Sequence, residues 1–248
     1  YSWTESASTY FKVSTGFRSG GSSRNGLNFD QPFEEETLIS YELGWKAQMM
    51  DNRLRINGAI YHMEVDDIIL DNLPDPINNP QFIEVFNSGN ADINGLELDI
   101  TAALTDNLLL GFNYAYIDYD INDAIFPDGS DRSDTTELVW APEHAYAITA
   151  DYNVPVSIGE LRMHLDYSWQ DDQLALANTE FGEVVVEDFG LLNGRISIAD
   201  IDMLGGNCQF AVWVKNLTDE DTSNYAIGTT AATFLQPLTW GGELIFQY

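Results

Sequence analysis

Period-two alternation of apolar and polar residues, repeated in about ten segments whose connections run strictly long, short, long, short, restricts the fold of this chain more than any other feature. A strand points successive side chains to opposite faces, so each segment is a ribbon with one apolar and one polar side. Leu161 to Gln170 is the clearest case. Leu161, Met163, Leu165, Tyr167 and Trp169 share one face, and Arg162, His164, Asp166, Ser168 and Gln170 the other. The same pattern covers Ala7 to Phe17, Tyr41 to Met49, Leu54 to Ile60, Leu108 to Tyr116, Tyr146 to Tyr152, Leu192 to Ile198, Phe210 to Val214 and Trp240 to Tyr248. A further strand-like region runs from Phe82 to Leu104 and is clearest at Leu96 to Thr101. Beyond Tyr61 the parity blurs, which points to a β-bulge. No stretch has the 3.6-residue period of a helix.

The short connections are Asp51-Asn52, Thr105 to Asn107, Pro155 to Gly159 and Gly205 to Asn207, all rich in turn-forming residues. The long ones are Arg18 to Thr37, Asp71 to Gln81, Asp120 to Glu137, Asp171 to Glu183 and Leu217 to Pro237. Antiparallel hairpins with long loops at one rim and short turns at the other are the layout of an up-and-down transmembrane β-barrel, with extracellular loops and periplasmic turns. The apolar faces then meet lipid and the polar faces the lumen. A soluble sandwich or propeller is the alternative, but has no reason to sort its loops this way. Trp45, Tyr116, Trp169, Trp240 and Tyr248 lie towards strand ends, as interface girdles do.

Charge narrows the partners. Ten Lys+Arg against 40 Asp+Glu leave a net charge of −30, which repels phosphate and excludes nucleic acid. Hydrophobic residues at 44% and aromatics at 12% are too many for a disordered acidic chain. No apolar run approaches the ~18 residues of a membrane helix. The single Cys208 excludes an internal disulfide and a cysteine metal cluster. The chain opens on Tyr1 directly in strand-like sequence, as expected of the C-terminal part of something longer.

Five short stretches in order carry a resemblance: Thr15 to Gly20, Tyr41 to Lys46, then Asn87, Gly89, Ala91 and Gly95-Leu96-Glu97, then Lys215 to Glu220, and the close with Gly241, Leu244, Phe246 and Tyr248. With them the chain resembles the C-terminal half of the barrel of a TonB-dependent outer-membrane receptor, the close ending on Tyr248 where the family often has Phe. The resemblance implies an all-β fold, with residues 1–248 forming about ten strands of a 22-stranded barrel whose plug domain is absent from this chain. It implies the outer membrane of a Gram-negative cell and its lipid. Its partners would be the TonB-ExbB-ExbD system through the missing N-terminal part, the barrel-assembly machinery through Trp240 to Tyr248, and an extracellular ligand such as a ferric siderophore. Cobalamin or a glycan fits the same scaffold, and a passive porin-like channel is the rival.

Chance accounts for most of the chemistry. With so many carboxylates a glycosidase-like pair carries no weight. His62 with Glu64 and Asp66 has metal-like spacing and no second histidine. His164 reads as a lumen residue, and Asn216-Leu217-Thr218 is a sequon by pattern alone. Nucleophile elbow, P-loop and dinucleotide fingerprint are all missing. The reading is therefore of a transporter without catalytic residues, bound metal or cofactor. Two long loops crowd acidic residues, either as a solvated surface suited to a saline habitat or as an electrostatic trap for a cationic or metal-bearing ligand. Phe126, Asp128, Asp131, Phe181 and Tyr225 are the candidate ligand-binding residues, since loops on a rigid scaffold carry function.

Overall fold

The structure, a computed structural model, describes residues 1–25, 28–72, 84–175, 185–203, 205–227 and 231–247. One antiparallel sheet holds eleven strands in chain order. They are β1 (Ser2–Thr4), β2 (Ala7–Arg18), β3 (Glu36–Met49), β4 (Leu54–Asp66), β5 (Asn90–Ala103), β6 (Leu108–Asn122), β7 (His144–Val156), β8 (Gly159–Gln170), β9 (Phe189–Met203), β10 (Gly206–Lys215) and β11 (Thr239–Gln247). Ten correspond to the predicted segments. The eleventh, β1, is a three-residue strand joined to β2 by the short turn Glu5-Ser6. Every connection joins sheet neighbours, so the long loops gather at one rim and the short turns at the other. Met50, Asp51 and Asn52 turn with φ of 55°, 53° and 66°, a left-handed region that short polar side chains tolerate best.

The two faces divide as the alternation predicts. Phe11, Leu43 and Ile60 are cross-strand partners on one face, as are Leu161, Ile198, Phe210 and Leu244 further along. Phe11, Leu43, Ile60, Phe210 and Leu244 are exposed, Phe11 by 67% and Leu244 by 63%, while Leu161 and Ile198 are half-buried. In water such a surface would aggregate, and it suits contact with lipid. The opposite face lines a trough of about 580 Å³ with Tyr10, Lys46, Asn57, Glu97, Asn113 and Ser168. That face is therefore concave, and Ala59, Ala115, Ala145 and Ala147 interleave with its polar groups.

The largest cluster of buried side chains sits under the loops rather than in the middle of the sheet. Val65, Ile68, Leu70, Ala91, Ile121, Ala124 and Phe126 pack together at the long-loop rim, with Phe86 and Tyr119 against them. This corrects the expected bulge at Tyr61. The β4 ladder runs unbroken from Leu54 to Asp66 against both neighbours. Parity blurs because Val65 is an apolar residue on the inner face, called inward by this cluster. A register shift lies instead between Ile198 and Ile201 of β9, where Asp200 takes φ 57°.

The region Phe82 to Leu104 also differs from its expectation as one strand. Glu84–Asn87 pairs with Ile69–Asn72 as a separate loop hairpin, and β5 starts only at Asn90. The break falls at Gly89, whose φ is +62°. The polar stretch after β2 likewise carries a hairpin of its own, Gly21–Asn25 with Asn28–Phe33.

Candidate functional site

The concave wall is a cross-strand polar lattice. Lys12 bridges Glu42 at 3.1 Å, and Tyr10 donates to the same carboxylate. Asn57 donates to Asp99 at 2.9 Å, and Arg195 pairs with Glu243 at 2.7 Å. His164, predicted to face the lumen, lies between Asp151 (Nδ1, 2.7 Å) and Asp166 (Nε2, 3.4 Å). Asn193 then donates to Asp166 at 2.7 Å. Opposite charges placed directly across strands support one another, so the wall is paired rather than free.

Two of the resemblance stretches, Tyr41 to Lys46 and the one holding Gly95, acquire a packing reason here. A Cβ on Gly44 would meet the Tyr10 ring at 2.2 Å, one on Gly58 the Trp45 ring at 2.2 Å, and one on Gly95 the Tyr61 ring at 2.1 Å. Each aromatic lies flat across a neighbouring strand's glycine, covering backbone that would otherwise be bare.

At the long-loop rim the loops are tied together by side chains from two of those stretches. Asn87 Nδ2 donates to the carbonyls of Glu34 (3.1 Å) and Asp67 (2.8 Å), while its Oδ1 accepts from the Glu34 amide. Buried Ser88 donates to the Ile125 carbonyl at 2.9 Å. Asn87 and Ser88 thus join the loops after β2, β4 and β6. Asn216, 3% exposed, donates to the carbonyls of Glu220 and Gln236, both at 2.9 Å, and accepts from the Glu220 amide at 2.8 Å. It closes the base of the last loop. Replacing Asn216 by alanine should remove these hydrogen bonds to half-buried Glu220 and exposed Gln236, at about 0.5–1.5 kcal/mol each. Faster amide exchange at Glu220 and Leu238, with the strands unchanged, is the expected readout.

The candidate ligand residues fall in different places. Phe126 is 2% exposed, with its ring against Phe86 (centroids 5.1 Å apart) and the Arg132 guanidinium 4.3 Å over it. It supports the loop from below. Asp128 accepts from the Ser130 side chain and amide and pairs with Arg132 at 2.9 Å. Asp131 accepts from the Ser133 side chain and amide. The Ser130 hydroxyl foremost holds Asp128 below the usual carboxylate range, and the Ser133 hydroxyl does the same for Asp131. Tyr225 is 46% exposed and stacks on Trp140, centroids 4.8 Å apart, linking the loops after β6 and β10. Phe181 lies outside the described residues. Phe126, Asp128 and Asp131 thus share one loop, and Tyr225 reaches it through Trp140.

Between the top of β6 and the loops after β6 and β8 lies a cavity of about 800 Å³. Asp118, Asp120, Asp123, Asp134, Glu137, Glu143, Asp171 and Asp172 line it, with no lysine or arginine among the lining residues. Acidity in these loops was legible in the sequence; their convergence on one cavity was not. Sequence reasoning also missed His144, at the start of β7. Among the described residues, Glu143, His144 and Asp171 are the group whose ligand atoms converge, all within 4.8 Å of one another. His62 Nε2 stands 3.8 Å from Glu64 and 4.0 Å from Asp92, and Asp66 takes no part.

A sheet with one apolar outer face, one polar concave face, and long loops tied over a single rim defines an outer-membrane β-barrel wall. The chain belongs to the TonB-dependent receptor family: residues 1–217 match "TonB dependent receptor-like, beta-barrel". The family is one of transport receptors, and it places the protein in the Gram-negative outer membrane. Over 154 residues, 61% of this chain and 20% of the relative, the chain is 29% identical to the metal-pseudopaline receptor CntO of Pseudomonas aeruginosa. It superposes with a TM-score of 0.77 and 18% identity on the ferric yersiniabactin uptake receptor FyuA from Yersinia pestis, covering 100% of this chain and 36% of that one. The siderophore receptor PiuA from Acinetobacter baumannii gives 0.76 and 18%, covering 99% and 34%. The chain thus spans about a third of these structures and a fifth of the curated relative.

Proposed function

We propose that the chain is the C-terminal part of the barrel of an outer-membrane receptor that takes up a scarce, large ligand, a ferric siderophore, with energy coupled through TonB. The observation that carries this reading is the superposition of the whole eleven-stranded sheet on a ferric yersiniabactin uptake receptor and on a siderophore receptor. The remaining wall pairs with the free edges of β1 and β11 to complete a 22-stranded barrel. TonB-ExbB-ExbD acts through a segment outside these 248 residues, and Trp240 to Tyr248 engages the assembly machinery. Electrostatics narrows the ligand further. A rim cavity of this acidity repels an anionic chelate and concentrates a cationic one. Tyr225 offers its exposed ring to that ligand, Asp128, Asp131 and Phe181 are the further candidate contacts, and Phe126 supports its loop from beneath.

In lipid each unpaired backbone group costs several kcal/mol, and two free edges expose a row of them. The 248 residues alone should therefore transport nothing, while the full-length protein should take up labelled ferric siderophore only with an intact proton-motive force. The assay compares both versions with and without an uncoupler. Uptake by the full-length protein that ignores the uncoupler would replace this reading with a passive channel.

A further inference from the structure

We propose that Glu143, His144 and Asp171 bind a divalent transition-metal ion at the edge of the acidic cavity, in a site separate from any metal carried within a chelate. The three residues come from two chain segments that the fold fixes together: Glu143 immediately precedes β7, His144 opens it, Asp171 follows β8, and the Asp171 amide donates to the His144 carbonyl at 2.9 Å. The imidazole is held in place. Tyr114 and Tyr116 stack on it, with centroids 6.0 and 5.1 Å away, and the Tyr114 hydroxyl shares a 2.9 Å hydrogen bond with Nδ1.

With Nδ1–H donating to that hydroxyl, Nε2 keeps its lone pair and points towards Glu143 Oε1, 3.6 Å away. An oriented imidazole whose other nitrogen is occupied is the arrangement found behind metal-ligating histidines. Three donors within 4.8 Å must close to about 3.4 Å around a tetrahedral ion with ~2 Å bonds. Glu143 is exposed and half-buried Asp171 lies just past the end of β8, so side-chain rotation supplies the difference. One imidazole and two carboxylates suit Zn²⁺ or Ni²⁺, whereas Ca²⁺ wants six to eight oxygens. Three protein ligands leave a fourth position open to water.

The other histidines serve as internal controls. His164 offers different nitrogens to Asp151 and Asp166, so the two carboxylates cannot ligate one ion with it, and His62 belongs to no converging group among the described residues. The test is equilibrium dialysis of the full-length receptor in detergent against Zn²⁺ with excess Ca²⁺ present to fill the nonspecific acidic surface. One Ca²⁺-resistant equivalent of Zn²⁺ is expected. His144→Ala and Asp171→Asn should abolish it, and Tyr114→Phe should weaken it about 10–100-fold through loss of the orienting hydrogen bond. His62→Ala and His164→Ala should leave it unchanged. Asp171→Asn preserves shape, so its loss of Zn²⁺ in a protein that keeps its β-sheet circular dichroism reports ligation rather than misfolding. No Ca²⁺-resistant equivalent in the wild type, or undiminished binding in both His144→Ala and Asp171→Asn, overturns the site.

Discussion

Replacing Gly89 by alanine should destabilise the long-loop rim by about 2–5 kcal/mol, from left-handed backbone strain of about 1–2 and steric overlap of about 1–3. Gly89 has φ +62°, and a Cβ there would lie 2.0 Å from the Asn122 carbonyl oxygen and 2.6 Å from that of Asp123. Neither contact is a flexible side-chain tip, so the backbone at the top of β6 must move. Its neighbours spread the damage, because Asn87 and Ser88 tie the loops after β2, β4 and β6 through Glu34, Asp67 and Ile125. Gly129 supplies the control. Its φ is +83°, yet a methyl group added there would have nothing within 4 Å, so Gly129→Ala should cost only the strain, about 1–2 kcal/mol. Urea unfolding of both variants, with protease nicking of the loop between β6 and β7, measures the difference. Equal losses would mean that the close approach at Gly89 relaxes without harm.

What the sequence reveals and what it hides follow different physics. Strands and their faces are readable because burial and lipid contact act on alternate residues, and Leu161 to Gln170 carries that signal without interruption. The rim is harder. There Val65 turns an apolar side chain inward, Asp118 and Asp120 continue β6 despite their polarity, and Ile69–Asn72 pairs with Glu84–Asn87 outside the main sheet. These residues answer to loop packing, which has no period. Asn87, Gly89 and Asn216 stood out as parts of familiar stretches, but their roles as ties and close approaches emerged only from the hydrogen bonds and φ angles. Glu143, His144 and Asp171 gave a weaker signal still: a histidine beside a carboxylate at a strand start, with its third partner 27 positions away.

Arginine at Leu165 should cost about 2–4 kcal/mol of barrel stability, because a cation at the bilayer midplane on the lipid face loses its hydration without gaining a partner. Leu165 lies near the middle of β8, is 47% exposed on the apolar face, and has Ala150 and Gly194 as cross-strand neighbours. Neither neighbour can pair with a guanidinium. Three residues along the same strand, Ser168 opens on the concave trough and has Ala147 and Leu191 across from it. Its surroundings are wetted, and an arginine there finds water within reach, so Ser168→Arg should cost little. The comparison holds strand, residue type and charge constant and changes the face, together with a three-residue step towards the long-loop rim. Folding of full-length protein into lipid vesicles across a urea series gives both values. A soluble sheet would tolerate arginine at its exposed Leu165 about as well as at Ser168, so equal costs would remove the lipid-facing assignment of β8 and, with it, the reading of the exposed row from Phe11 to Leu244 as the outer surface of a membrane barrel.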